Sequence, residues 1–226
     1  MIQLDDGALN PCVQAAGTWD SPPGTVVVLG TARGGTSMVA GVLRILGVDL
    51  GAELDEDNNE DRVFLQHGGD RRIFSERSLA SRKREYLKHV RRYIAERNQA
   101  GRTWGWKDPL ASHYIEDVVG HLARPAFLFV ARDPIAIATR QLFEEKSTAP
   151  GALLAYMLHA LEDYRWVATF LTGCSPPPLL ISYERALRHP EATVAGIRDY
   201  LVWPKDEEAE RRAADFIVPD RGPARL

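Results

Sequence analysis

Short apolar runs separated by turn-rich and helical segments dominate the middle of the chain. The run from Thr25 to Leu29 is rich in β-branched residues, which is typical of a strand buried on both faces. Similar runs at 125–130 and 179–182 predict two more strands, and a brief run at 103–106 predicts a fourth. Because such strands alternate with helical patterns, a parallel sheet covered by helices is expected.

Apolar residues recur at helical spacing between these strands. The first helix is predicted after the strand at Thr25–Leu29 and the glycine-rich segment that follows it, over the positions from Met38 to Val48. A long charged helix is predicted from about 71 to 98, and Leu154, Leu158 and Leu161 form a stripe that is expected to pack in the core. The remaining helices are predicted at 134–145, 150–171, 190–201 and 206–216.

These elements predict one three-layer α/β domain with a central parallel sheet flanked by helices. We assign the domain to residues 24–218, after an irregular arm over 1–23 and before a short tail over 219–226. With 226 residues, of which 45% are hydrophobic, such a domain can bury a core without disulfides or a structural metal.

Composition narrows the class of protein further. The net charge of −3 argues against a nucleic-acid-binding protein, and no apolar run approaches the roughly 20 residues of a membrane helix. An acidic N-terminus is unlike a secretory signal. Because Cys12 and Cys174 make no disulfide framework, a reduced, cytoplasmic setting is expected. The oligomeric state is open.

Charge is unevenly distributed along the chain. Residues 71–102 contain eleven Arg or Lys, whereas acidic residues gather at 53–61 and 206–210. The basic stretch is interpreted either as a solvated helix face or as a positive rim that attracts an anionic ligand.

The segment from Gly30 to Ser37 has the glycine spacing of a phosphate-binding loop. Its glycines let backbone N–H groups approach an anion, and the helix that follows adds its partial positive charge. Thr36 stands where nucleoside-triphosphate-binding loops have a lysine, while Arg33 supplies a cation inside the loop. An ordinary tight turn is the structural alternative.

Four segments, in order along the chain, resemble the sulfotransferase family. Gly30-x-x-Arg33-Gly34-Gly35-Thr36-Ser37 is similar to its 5′-phosphosulfate loop, Gly-x-x-Arg/Lys-Ser-Gly-Thr-Ser/Thr. The other three are Trp104-Gly105-Trp106-Lys107-Asp108-Pro109, the strand end Arg132-Asp133-Pro134 of the 3′-phosphate motif, and the strand-to-helix turn Tyr183-Glu184-Arg185-Ala186-Leu187.

The resemblance implies a P-loop fold and direct, in-line transfer of a sulfuryl group to an acceptor hydroxyl or amine. The donor would be 3′-phosphoadenosine-5′-phosphosulfate, and no metal is expected. Lys107 and Arg33 would stabilise charge on the reacting group. The donor would be held by the following residues: Thr31, Ala32, Arg33, Gly34, Gly35, Thr36, Ser37, Arg132, Arg140 and Tyr183.

Two positions depart from the family pattern. Arg140 stands where the 3′-phosphate motif has a serine, so that either Arg140 binds the phosphate or the neighbouring Thr139 replaces the serine. Gly34 stands where the loop has its first serine, which removes a side-chain contact.

A base is also required to take the proton of the acceptor. Glu60, with Asp61 beside it, is one candidate, and a solvated acidic loop is its structural alternative. Asp108 is a second, since it can orient Lys107 or act as the base, although Asp-Pro also begins helices. His67 and His113 are further candidates. Trp104 and Trp106 are expected in the core.

Two other functions stay open. A P-loop phosphotransferase is the first, against which the missing loop lysine counts. The second is a non-catalytic nucleotide-binding protein, which Arg140 and the weakly defined base would suit. Carbohydrates, lipids and small molecules are all possible acceptors, because acceptor pockets lie on variable loops.

Overall fold

The computed structural model of the chain describes residues 11–14, 19–51, 54, 59–65 and 76–218. His67, the start of the helix predicted at 71–98 and the tail at 219–226 lie outside these residues. The described strands form one sheet and are numbered β1 Cys12–Gln14, β2 Thr25–Leu29, β3 Trp104–Lys107, β4 Pro125–Ala131 and β5 Leu179–Ser182.

The sheet has the order β1-β5-β4-β2-β3, in which β2 to β5 are parallel. β2 therefore has β4 on one side and β3 on the other. In an α/β sheet this arrangement opens a crevice at the carboxyl ends of the strands, where ligands bind. The three-layer α/β fold with a mostly parallel central sheet is confirmed.

The edge strand β1 differs from the irregular arm expected over residues 1–23. It pairs antiparallel with β5, with Cys12 opposite Ile181. Cys12 is buried, and its Cβ packs closely against the backbone at Gly196. Three residues are too few to show an alternating pattern in the sequence. The strand forms because β5 has an open edge with which it can pair.

Helices cover both faces of the sheet. The α-helices are numbered along the chain as α1 Thr36–Ile45, α2 Arg62–Leu65, α3 Ala80–Gln99, α4 Ile115–Val118, α5 Pro134–Glu144, α6 Ala152–Leu171, α7 Tyr183–Arg188, α8 Pro190–Tyr200 and α9 Glu207–Phe216. Short 3₁₀ helices lie at Arg77–Leu79, Ala111–His113 and Val119–His121.

Two apolar layers result, because β2 is buried on both faces. Val26 and Val28 face a layer formed with α1, α8 and α9. Val27 and Leu29 face the opposite layer, which contains residues of α3, α4 and α6 together with Trp104 and Trp106. Both tryptophans are thus core residues, as expected, and the alternation explains why β2 reads as a continuous apolar run.

The leucine stripe of α6 does not pack in the core. Leu154, Leu158 and Leu161 are 59%, 57% and 43% exposed, so the expectation for them is wrong. The buried face instead carries Ala160, Asp163, Val167 and Leu171. The regular spacing of the three leucines therefore identified a stripe on the helix that is not its inner side.

The described part of the basic stretch forms a solvated helix face. Tyr86, Leu87, Val90 and Ile94 of α3 are buried, whereas its arginines at 82, 84, 91 and 92 are exposed. Lys83 forms a salt bridge of 3.0 Å with Asp117. This agrees with the first of the two interpretations of that stretch.

Candidate active site

The loop from Gly30 to Ser37 connects β2 to α1 and leaves the helix N-terminus open. Gly35 is the N-cap residue in a left-handed conformation with φ of 89°, and no side chain caps the helix. Arg33 is also left-handed, with φ of 63°. A Cβ at Gly35 would lie 2.2 Å from the Tyr183 ring, so only glycine fits there. The first amides of α1 are therefore available to an anion.

This loop forms one wall of a cavity of about 220 Å³. Glu60, Lys107 and Pro109 form the other walls. The loop residues that line the cavity are Ala32, Arg33, Gly35, Thr36 and Ser37. The structure thus brings together the predicted anion loop, a predicted catalytic lysine and a predicted base, which lie far apart in the sequence.

Lys107 lies at the end of β3, opposite Val28 of β2, and its side chain is only 2% exposed. Its ammonium forms a salt bridge with Glu60, whose side chain is 13% exposed. Burial lowers the pKa of Lys107, and the Glu60 carboxylate opposes this effect. The cavity therefore holds a partly desolvated cation next to the loop, where it can stabilise negative charge.

Glu60 is held in place through both of its neighbours. Asn59 is buried, has φ of 56°, and accepts a hydrogen bond from Arg44 of α1. Asp61 accepts hydrogen bonds from the Tyr93 hydroxyl at 2.6 Å and from the Val63 amide at 3.0 Å. Because both flanking side chains are anchored, the solvated-loop alternative for Glu60 is wrong.

Asp108 does not line the cavity. Its side chain is buried, and its two oxygens accept hydrogen bonds from the Leu110 amide and the Tyr114 hydroxyl, each at 2.8 Å. Burial raises the pKa of this carboxyl to about 6. Asp108 therefore organises the turn after β3, and its role in orienting Lys107 or acting as the base stays a prediction.

Arg132 follows β4 and lies beside the loop. Its guanidinium donates a hydrogen bond to the Arg33 carbonyl at 3.1 Å and stacks on the Tyr183 ring at 4.6 Å from the centroid. The Tyr164 hydroxyl bonds both the amide and the carbonyl of Arg132, at 2.7 and 2.9 Å. Tyr183 is thus placed behind the loop as a support for Arg132 and Gly35.

The helix after Arg132 begins with a side-chain cap, at the position where the sequence predicts its start. The Asp133 side chain accepts a hydrogen bond of 2.8 Å from the Ala136 amide and caps α5. The Asp133 amide in turn donates to Glu184 at 2.9 Å. The strand-to-helix turns after β4 and β5 therefore brace each other.

Arg140 and Arg33 form salt bridges with the same carboxylate. Glu144, the last residue of α5, forms a salt bridge with Arg33 and another, of 2.7 Å, with Arg140. Thr139 is exposed, and its hydroxyl donates to the Ile135 carbonyl of its own helix at 2.8 Å. Arg140 is thus linked to the loop through Glu144, whereas the Thr139 hydroxyl is bonded within its own helix. Which of the two replaces the serine stays a prediction.

A second cavity of about 380 Å³ adjoins the loop, between α5 and α6. Ala32 lines both cavities. The Thr31 hydroxyl donates a buried hydrogen bond of 2.7 Å to Asp163 of α6, so it anchors the loop and does not face the first cavity. The second cavity is lined by Thr31, Ala32, Ile137, Gln141, Glu145, Ala155, Tyr156, His159 and Ala160.

The predicted site residues thus divide into two groups. Ala32, Arg33, Gly35, Thr36, Ser37, Glu60 and Lys107 line one cavity, and Arg132 and Arg140 lie beside it. Thr31, Asp108 and Tyr183 support the surrounding backbone, and Gly34 donates its amide to the Thr31 carbonyl at 3.0 Å. His113 ends a 3₁₀ helix and is not among the residues lining the cavity.

Several contributing residues were not expected from the sequence, among them Arg44, Asn59, Glu144 and Asp163. Asp163 had a usable signal, because it is a polar residue at helical spacing from Ala160 and Val167 on the buried face of α6. The other three are ordinary polar residues on helices or loops, with no pattern around them that indicates a role. Their roles depend on partners that are distant in sequence.

Among the described residues, none of the helices combines the length and the apolar character that a membrane span needs. In the same part of the chain, no group of three or more His, Cys, Asp or Glu side chains is arranged to hold a metal ion.

Comparison with known proteins relates this fold to sulfotransferases. No protein-family model matches the sequence, and no curated protein matches it. The sulfotransferase domain of the olefin synthase from Synechococcus PCC 7002 is similar with a TM-score of 0.57 and 15% identity, over 88% of this chain and 81% of that one. Sulfotransferase STF9 from Mycobacterium avium is similar with a TM-score of 0.58 and 16% identity, over 88% and 69%.

A third solved structure, sulfotransferase STF1 from Mycobacterium tuberculosis H37Rv, has a TM-score of 0.54 and 13% identity, over 86% of this chain and 71% of that one. The chain therefore has the fold of these sulfotransferases. The resemblance seen in the four sequence segments is confirmed at the level of the fold.

Proposed function

We propose that the protein is a sulfotransferase that uses 3′-phosphoadenosine-5′-phosphosulfate as the sulfuryl donor. The observation that carries this proposal is the Lys107–Glu60 pair facing an uncapped glycine-rich loop across one cavity. The pair supplies a cation and a base at the place where the loop would hold a phosphate. A loop without the triphosphate lysine suits a donor that does not depend on that contact.

The donor's two phosphates match two cationic regions. The 5′-phosphosulfate would lie on the amides at the start of α1, close to Arg33, Thr36 and Ser37. The 3′-phosphate would lie on the side of Arg132 and Arg140. Guanidinium groups suit this position because each can bind two phosphate oxygens at once.

The reaction follows from the two sides of the cavity. Glu60 would accept the proton of the acceptor hydroxyl, whose oxygen then attacks the sulfur in line. The bond between sulfur and the bridging oxygen breaks, and the electron pair stays on the 5′-phosphate. Lys107 and Arg33 would stabilise the negative charge that develops on this oxygen. The products are the sulfated acceptor and adenosine 3′,5′-bisphosphate.

The second cavity, between α5 and α6, is our candidate for the acceptor site. It adjoins the same loop at Ala32, and its volume of about 380 Å³ suits a small molecule. Apolar residues such as Ile137 and Ala160 line it together with polar Tyr156 and His159. An acceptor with an apolar body and a hydroxyl group would fit this lining, whether a lipid, a glycoside or another small molecule.

This proposal includes a cytoplasmic location and a single-domain organisation. Cys12 and Cys174 are both free thiols, which suits the cytoplasm. A single functional domain over residues 24–218 is likewise our assignment.

A titration separates this function from its alternatives. Calorimetry with adenosine 3′,5′-bisphosphate, without a divalent metal, should give tight binding, whereas ATP with magnesium should bind more weakly. A preference for ATP with magnesium would indicate a phosphotransferase. Binding of the bisphosphate without sulfuryl transfer to any hydroxyl acceptor would indicate a non-catalytic nucleotide-binding protein.

The assignment of Lys107 has its own test. Lys107→Ala should abolish transfer and leave bisphosphate binding within a few-fold of the wild type, because the loop amides remain in place. If this variant still transfers sulfate, Lys107 has no catalytic role.

A further inference from the structure

Three guanidinium groups surround the open side of the loop, and a single carboxylate connects two of them. Arg132 contacts the Arg33 carbonyl, while Glu144 forms salt bridges with both Arg33 and Arg140. The Glu144 carboxylate thus takes the same kind of contact that a phosphate would take. None of the four segments that resemble sulfotransferases includes Glu144.

The two salt bridges are accessible to solvent. The exposed fractions of the side chains are 41% for Arg33, 36% for Arg140 and 26% for Glu144. Salt bridges at this exposure are weak, because water screens the charges and holding the side chains in place costs entropy. A phosphate with two negative charges can therefore displace the carboxylate from either arginine.

Glu144 is also placed so that it can move away. It is the last residue of α5, and Glu145 after it forms the C-cap. The Glu144 side chain itself is partly exposed and lies outside the apolar core. Rotation of the Glu144 side chain toward solvent requires no change in the core.

We propose that Glu144 competes with the nucleotide phosphate for Arg33 and Arg140. This inference rests on the proposed function and adds a residue that determines nucleotide affinity. In the ligand-free protein the single negative charge of Glu144 is shared between the two arginines, and the donor must displace it. The same carboxylate returns as adenosine 3′,5′-bisphosphate leaves, so competition weakens product binding and accelerates release.

The alternative role for Glu144 is to hold the arginines in the binding geometry. The two roles predict opposite results. If Glu144 competes, removal of its charge tightens nucleotide binding. If it positions the arginines, removal loosens binding, because Arg33 and Arg140 would have to be ordered by the ligand.

The test is the affinity of Glu144→Gln for adenosine 3′,5′-bisphosphate, measured by calorimetry at low ionic strength. We expect Kd to fall by about three- to tenfold, from the loss of two partly exposed salt bridges. The dissociation rate, measured by stopped-flow displacement, should fall by a similar factor. High salt should reduce the difference, because ions screen exposed charges.

Glu208→Gln is the matched control. It makes the same change in net charge and breaks an exposed salt bridge of 2.8 Å with Arg211. Both residues lie on α9, which packs against α1 and α8. Its Kd should equal that of the wild type. Arg140→Ala in the Glu144→Gln background should remove most of the gain.

The outcomes distinguish this inference from the proposed function. If the bisphosphate binds the wild type and Glu144→Gln binds it equally well or more weakly, competition is refuted and the sulfotransferase proposal stands. If the bisphosphate does not bind the wild type, the proposed function fails. Inorganic pyrophosphate then replaces it as the probe, and an unchanged Kd in Glu144→Gln would again refute competition.

Discussion

The Lys107–Glu60 pair allows a quantitative test of the site. The Lys107 side chain is only 2% exposed, and Glu60→Ala leaves its ammonium without the partner carboxylate. Breaking a buried ion pair by removing one partner costs about 3–5 kcal/mol, and we expect about 3 kcal/mol here because Glu60 is 13% exposed. The double variant Lys107→Met/Glu60→Leu should recover most of this loss, since an apolar pair carries no desolvation cost.

The Glu60→Ala variant should also acquire an alkaline pH dependence. Burial already lowers the pKa of Lys107 below its ordinary value of 10.5, and loss of Glu60 lowers it further. The unfolded chain then binds more protons than the folded chain between the lowered pKa and 10.5. The free energy of unfolding should therefore rise with pH across that window.

Urea denaturation at neutral and alkaline pH measures both effects. Glu208→Ala is the control, because its salt bridge with Arg211 has both side chains 64% exposed and should contribute little to stability. If Glu60→Ala were as stable as the wild type and showed no alkaline rise, the argument from burial would be refuted. Glu60→Gln, which keeps a hydrogen-bond acceptor, should lose sulfuryl transfer; full activity would exclude Glu60 as the base.

Three further predictions concern the surroundings of the cavity. The folded pKa of Asp108, at about 6, lies above the ordinary value of 3.8, so the folded chain binds more protons between these values and stability falls as pH rises through them. Asp108→Asn should remove this pH dependence, which amounts to about 3 kcal/mol in the free energy of unfolding. Urea denaturation from acidic to neutral pH measures it, and an unchanged slope would contradict the raised pKa of Asp108. Arg33→Gly should change stability by less than about 1 kcal/mol, because glycine accepts the left-handed φ of 63°, while calorimetry should show about tenfold weaker bisphosphate binding. Arg33→Lys serves as its charge-preserving control, and equal weakening in both variants would show that the guanidinium geometry matters. Ala155→Trp should fill the second cavity and raise the acceptor KM without altering bisphosphate Kd; an unchanged KM would place the acceptor elsewhere.

The order of strands and helices was largely predictable because it follows from local patterns. Thr25–Leu29 and Leu179–Ser182 are strands with the same bounds as predicted. Pro134 begins α5 after the Asp133 cap, also as predicted. Burial on both faces requires continuous apolar runs, and helix starts require specific capping residues, so both leave marks over a few neighbouring positions.

Local patterns were less informative where burial depends on what lies across from an element. The leucines of α6 are large and regularly spaced, yet the face that packs inside carries Ala160 and Asp163. Helical spacing identifies a stripe, but packing distance decides which stripe is buried. Likewise, Cys12–Gln14 becomes a strand only because β5 has an edge to pair with.

The sequence by itself determined the glycine-rich loop, its missing lysine and the alternation of strands and helices, since glycine conformation, helix ends and strand burial are local properties. Only the tertiary structure decided which side chains share the cavity. Glu60 meets Lys107 across 47 residues, and Thr31 meets Asp163 across 132. Glu144 reaches Arg33 because α5 begins at the end of the strand beside β2. The sheet register brings these groups together, and no pattern along the chain specifies which charged residues will face one another.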